Sequence, residues 1–93
     1  MSTATAHVPT ANASKYLQQL CKHWGHKLEV SFDDKAGTVR FQEAVVTMTA
    51  GEEALSVTVE AVSDEIRDRI EGVVASHLDR FAFREAPLTF NWA

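Results

Sequence analysis

A chain of 93 residues holds one domain, residues 1–93, and leaves no length for a second core. Its 45% hydrophobic and 24% charged residues are those of a globular protein and not of a disordered one. Thirteen acidic against nine basic side chains give a net charge of −4, which argues against a nucleic-acid partner, because displacing counterions from phosphates needs an excess of Lys and Arg.

Ala4, Ala6 and Val8 alternate with polar residues and predict a first strand that Pro9 breaks. Thr10 or Asn12 is placed to cap the helix that follows, in which Ala13, Tyr16, Leu17, Leu20, Cys21 and Trp24 share one face. Gly25 is expected to end it in the left-handed conformation. Leu28, Val30 and Phe32 alternate next, and the loop Asp34-Lys35-Ala36-Gly37 turns the chain back through Val39 and Phe41.

Ala44 to Ala50 reads as a further strand, with Val45-Val46 leaving its facing open. Gly51-Glu52 marks a turn, and Leu55, Val57, Val59 and Ala61 form the clearest alternation in the chain. Ser63 caps a second helix, with Asp64 and Glu65 in its first turn and an apolar stripe of Ile66, Ile70, Val73, Val74 and Phe81. Pro87 is expected to end the helical region, and Leu88, Phe90 and Trp92 to make a closing strand. The order β-α-β-β-β-β-α-β predicts an α+β two-layer sandwich, a mainly antiparallel sheet with two helices on one face. It resembles the TATA-binding-protein-like or ferredoxin-like sandwiches, architectures that do not by themselves choose an activity.

The single cysteine excludes an internal disulfide and suits a reducing compartment. Met1 to Ser14 lacks a basic start followed by an apolar run, and no apolar stretch is long enough to span a membrane. A cytoplasmic protein without a membrane partner is expected.

Two segments concentrate chemistry. In Cys21-Lys22-His23-Trp24-Gly25-His26 the thiol and imidazoles suit transition metals, but Cys21 falls on the apolar face and zinc motifs usually supply two matched ligand pairs. A helix end whose Lys22, His23 and Lys27 offset the helix dipole explains the same residues, and no metal set is assigned. In the second segment His77 points, at about 100° per residue, near the direction of the apolar stripe, so it is expected to face the sheet with its ring nitrogens hydrogen-bonded. Arg80 and Arg84 could form a small anion site or pair with Asp79, Glu85 or a sheet carboxylate. Ser76 and His77 are adjacent on a helix and cannot face each other, no paired carboxylates stand out, and no glycine-rich phosphate loop exists. An enzyme is unsupported, and no cofactor is assigned.

At Leu20-Cys21-Lys22-His23-Trp24-Gly25-His26-Lys27 and at His77-Leu78-Asp79-Arg80-Phe81 the chain resembles the bacterial proteins labelled domain of unknown function 2218. The likeness extends to Thr10, Tyr16-Leu17, the Gly37-x-Val39-x-Phe41 hairpin, the Leu55 strand, Arg84-Glu85 and Trp92, and so covers nearly the whole chain. The resemblance implies no activity; some relatives accompany siderophore-interacting flavin reductases, which implies an accessory role near iron uptake and such a reductase as partner. The leading expectation is a non-enzymatic module binding a small anionic or chelated ligand, or a protein, through His23, Trp24, His26, His77 and Arg80 at the helix ends. Two readings stay open beside it: a small metal protein or enzyme using Cys21 and the histidines, and a structural partner, monomeric or homodimeric.

Overall fold

Alternation with period two and stripes with period 3.6 produce five strands and two helices in the computed structural model, which describes residues 2–85 and 88–93. In chain order these are β1 (Ser2–Pro9), α1 (Ala13–Trp24), β2 (Glu29–Phe32), β3 (Ala36–Arg40), β4 (Ala44–Ala50), β5 (Ala54–Ala61) and α2 (Asp64–Phe81). All strands join one antiparallel sheet in the order β1-β5-β4-β3-β2. β1 and β2 therefore occupy opposite edges, and α1, which connects them, must cross the sheet. It packs on β2, β3, β4 and β5, while α2 lies beside it over β1, β4 and β5.

Register explains why one face is dry. Ala4, Val59, Val46, Val39 and Val30 stand side by side across the five strands, and the helices cover that face. One residue along each strand, Thr5, Thr58, Thr47, Thr38 and Ser31 form the matching row on the open face. The strand whose facing the sequence left open is thereby settled: Val46 and Met48 point into the core and Val45 outwards, half-buried. All six apolar residues expected on one face of α1 are buried. Ser63 caps α2 as expected, its hydroxyl accepting the Ile66 N–H at 3.2 Å. Among the described residues no helix is long and apolar enough to cross a membrane.

Four local expectations are corrected. Gly25 is right-handed (φ −60°, ψ −17°), because the Lys27 and Leu28 N–H groups both reach the Trp24 carbonyl and satisfy the helix end without a left-handed residue. The hairpin turn lies one residue earlier than expected: the Asp33 carboxylate accepts the Lys35 and Ala36 N–H groups at 2.8 Å each, so Gly37 already belongs to β3. Asn12 makes no side-chain cap on α1; the Thr10 hydroxyl accepts the Asn12 N–H just ahead of the helix, and both side chains are turned towards Glu85.

The closing strand expected over Leu88–Trp92 does not form. The Leu88 N–H goes to the Asp79 carboxylate on α2 at 2.9 Å, and only Ala93 exchanges both backbone hydrogen bonds with Thr5, which makes one bridge and no ladder. Leu88 is buried, and Phe90 and Trp92 pack against the core, so the segment is an apolar strap that runs from Asp79 on α2 to Thr5 on β1. Pro87 lies outside the described residues.

Candidate functional site

The end of α1 meets the second half of α2, and residues beyond α2 reach back to the start of α1, so the two helices run antiparallel. His77 on α2 lies 5.2 Å, ring centroid to ring centroid, from Trp24 and 5.4 Å from His23. The Phe81 ring stands edge-on to His23 at 5.8 Å, and Trp24, buried, is in turn edge-on to Phe41 at 5.2 Å. The two histidine-bearing sequence segments thus converge on one seam. His26, exposed beyond the helix end, and Arg80, exposed on α2, take no part in this ring cluster among the described residues.

His77 does not face the sheet as expected. The sheet-facing line of α2 is Ile70, Val74 and Leu78, all buried, and His77 is rotated towards α1 and half-buried. Its Nδ1 lies 2.7 Å from the Val73 carbonyl oxygen, which can only accept. Nδ1 must therefore carry the hydrogen, and in the neutral ring the lone pair sits on Nε2.

Cys21 belongs to the core and not to this seam. It is fully buried, and burial pushes its thiol up to about 11, so at neutral pH it is protonated and a poor nucleophile. A Cβ added at Gly37 would stand 2.8 Å from the Cys21 sulfur, which shows how closely α1 approaches β3.

The sequence reading missed the residue with the densest polar contacts, Glu85. Its carboxylate accepts hydrogen bonds from the Thr10 hydroxyl at 2.9 and 3.1 Å, from the Asn12 amide at 3.1 Å, and from the Tyr16 hydroxyl. These donors hold the Glu85 carboxyl below its ordinary range, Tyr16 contributing most, then Asn12 and Thr10. The same bond, followed by burial and the carboxylate charge, raises the Tyr16 phenol. Beyond the family likeness, Thr10 was legible only as a cap, Tyr16 as part of the apolar face of α1 and Glu85 as a partner for arginine; their meeting was not, since the contacts join residues 69 to 75 positions apart.

Because Glu85 is committed to α1 and Asp79 to the Leu88 N–H, the pairing expected for the nearby arginines does not occur. Among the described residues Arg80 and Arg84 join no ion pair, whereas Arg67 is held by Asp64, Asp68 and Glu71. The Arg84 guanidinium instead lies over the Phe83 ring, 5.7 Å from its centroid. Lys15, Tyr16, Phe81, Phe83 and Arg84 line a hollow of about 230 Å³. Its aromatic walls and two cations distinguish it from the 170 Å³ hollow between the β3–β4 turn and α2, where Glu43 and Arg69 bring both signs of charge.

A Ser–His contact also escaped the sequence reading: His7 Nδ1 lies 2.8 Å from the Ser56 hydroxyl on the open face, where the two are cross-strand partners. It borders none of the described hollows, and a nucleophile needs an oriented base and a site for the developing oxyanion beside it. Ser76 spends its hydroxyl on the Val73 carbonyl of its own helix at 3.2 Å.

These features define a small two-layer α+β domain whose polar and aromatic side chains gather along one helix–helix seam. The chain belongs to the family described as "Uncharacterized protein conserved in bacteria (DUF2218)", whose model matches residues 5–93. It is similar to the NMR structure of PA4090 from Pseudomonas aeruginosa, with 31% identity and a TM-score of 0.86 over 100% of this chain and 96% of that one. No curated protein matches it.

Proposed function

We propose that the protein is a non-enzymatic cytoplasmic module that binds a small anionic ligand with a flat aromatic body in the hollow between the start of α1 and the residues after α2. One observation carries this reading. Lys15 and Arg84 flank a hollow walled by Tyr16, Phe81 and Phe83, and neither cation is spent on an ion pair among the described residues. Aromatic walls recognise a flat apolar body, and a guanidinium recognises oxygen anions with two parallel donors. An aryl hydroxy-acid, free or as a metal chelate, has both features. That chemistry agrees with the accessory role near siderophore reduction that the family likeness suggests, with a siderophore-interacting reductase as partner.

The test is an NMR titration of untagged protein with salicylate, acetate and a ferric catecholate. Saturable shifts from salicylate or the catecholate at Lys15, Tyr16, Phe83 and Arg84, absent with acetate, are expected. Arg84→Ala should weaken that binding at least about tenfold while the fold persists, as loss of a charge-assisted bidentate contact requires. Affinity unchanged by Arg84→Ala, or no saturation by any of the three, would refute the reading.

A protein-partner reading rests on Phe83, which is 71% exposed. Association that depends on concentration and disappears in Phe83→Ala, measured by sedimentation, would favour it.

A further inference from the structure

We propose that His23 and His77 form a two-imidazole site for a divalent transition ion at the seam of α1 and α2. The site shares the Phe81 ring with the proposed anion-binding hollow but none of its polar groups, and does not depend on that reading.

Three observations support it. The first is separation. Imidazoles bound through nitrogen at about 2.0–2.1 Å from an ion have centroids about 3 Å from it, and so about 5 Å apart at a tetrahedral angle. The two rings stand 5.4 Å apart, centroid to centroid. The second is orientation. Histidines that bind metals commonly give their other ring N–H to a backbone carbonyl, which fixes the tautomer and makes the ligating nitrogen more basic. The His77 contact with the Val73 carbonyl at 2.7 Å is such a bond and leaves Nε2 as the ligating atom. The third is surroundings. Trp24 packs against His77 and Phe81 against His23, so apolar rings hold both imidazoles in place, while the exposure of His23 leaves an entry path for the ion.

Among the described residues no third His, Cys, Asp or Glu completes a protein cage. The remaining coordination positions are therefore open to water or to donor atoms of a chelating ligand. That open shell, together with two neutral nitrogen donors, selects ions that favour imidazole, such as Zn(II), Ni(II) and Cu(II), over Mg(II) or Ca(II).

The experiment is calorimetric titration of the untagged full chain with Zn(II) and Mg(II), alongside ¹⁵N imidazole NMR. One equivalent of Zn(II) should bind and shift the Nε2 resonance of His77, while Mg(II) does not bind. His23→Ala and His77→Gln should each weaken Zn(II) binding at least about tenfold, as loss of one of two ligands requires. His26→Ala and His7→Ala, at exposed histidines outside the seam, should leave it unchanged. His23→Ala alters an exposed side chain and keeps the test valid should His77→Gln unfold the protein. Binding that survives His23→Ala, binding lost in His26→Ala or His7→Ala, or no saturable Zn(II) binding at all would overturn the proposal.

Discussion

Replacing Gly37 by Ala tests the tightest of the four glycine positions and, with it, the role of Cys21. The new methyl would stand 2.8 Å from the Cys21 sulfur, 3.1 Å from Phe32 Cβ and 3.3 Å from Leu17 Cδ2. Cys21 and Leu17 are fully buried, so neither can swing into solvent to make room. Overpacking of this kind costs about 1–3 kcal/mol. The alanine also restricts the unfolded chain, which returns about 0.4–1 kcal/mol. A net loss of about 1–2 kcal/mol should lower Tm by roughly 5–15 °C in a domain of this size. Cys21→Ala alone leaves a small cavity and should cost about 1 kcal/mol. In the double variant the vacated sulfur position accepts the new methyl, so the combined loss should fall short of the sum by at least about 1 kcal/mol. Urea melts of the four proteins followed by circular dichroism close the cycle. Losses that add within about 0.5 kcal/mol, or a Gly37→Ala variant as stable as the wild type, would refute the packing account and reopen Cys21 as a functional thiol.

Two further predictions concern the Glu85 clasp. Its carboxyl is lowered on folding, so the stability it contributes is fully present above the unfolded value of about 4.3 and disappears as pH falls through the lowered folded value. Wild type should therefore exceed Glu85→Gln in urea stability at neutral pH, with the gap narrowing below about pH 4; a gap that stays constant would contradict the ionic contribution. Tyr16 is the sole tyrosine, so an ultraviolet titration of phenolate reads it alone. Its pKa is raised, so its contribution holds below about pH 10 and is lost as pH rises through the folded value. Glu85→Gln should bring the midpoint down, and an unmoved midpoint would show that the carboxylate does not govern the phenol.

The six buried residues of α1 could be read directly because a helix lying flat on a sheet buries one stripe, and a single period describes it. α2 was less transparent. It touches both the sheet and α1, so Leu78, four residues after Val74 in the line that faces the sheet, went unread, while His77, Val73 and Phe81 turned to the flank. The strap from Leu88 to Trp92 has the alternation of a strand but not its hydrogen bonds, and alternation reports burial and not pairing. At the seam the sequence showed residue types without distances: His23 and His77 were candidates in separate segments, and Glu85 was read only as a counter-charge for arginine.

Element order, the dry face of the sheet and the family likeness were written in local pattern, because hydrophobic burial acts on residues two to four positions apart in strands and helices. The sites were decided by tertiary structure. α1 must cross from the β1 edge to the β2 edge, and α2 then lies antiparallel beside it. That packing brings His77 to His23, commits Glu85 to Thr10, Asn12 and Tyr16, and leaves Lys15 and Arg84 without an ion pair among the described residues around an aromatic hollow. No local periodicity encodes such meetings, since they depend on which faces of two distant helices come into contact.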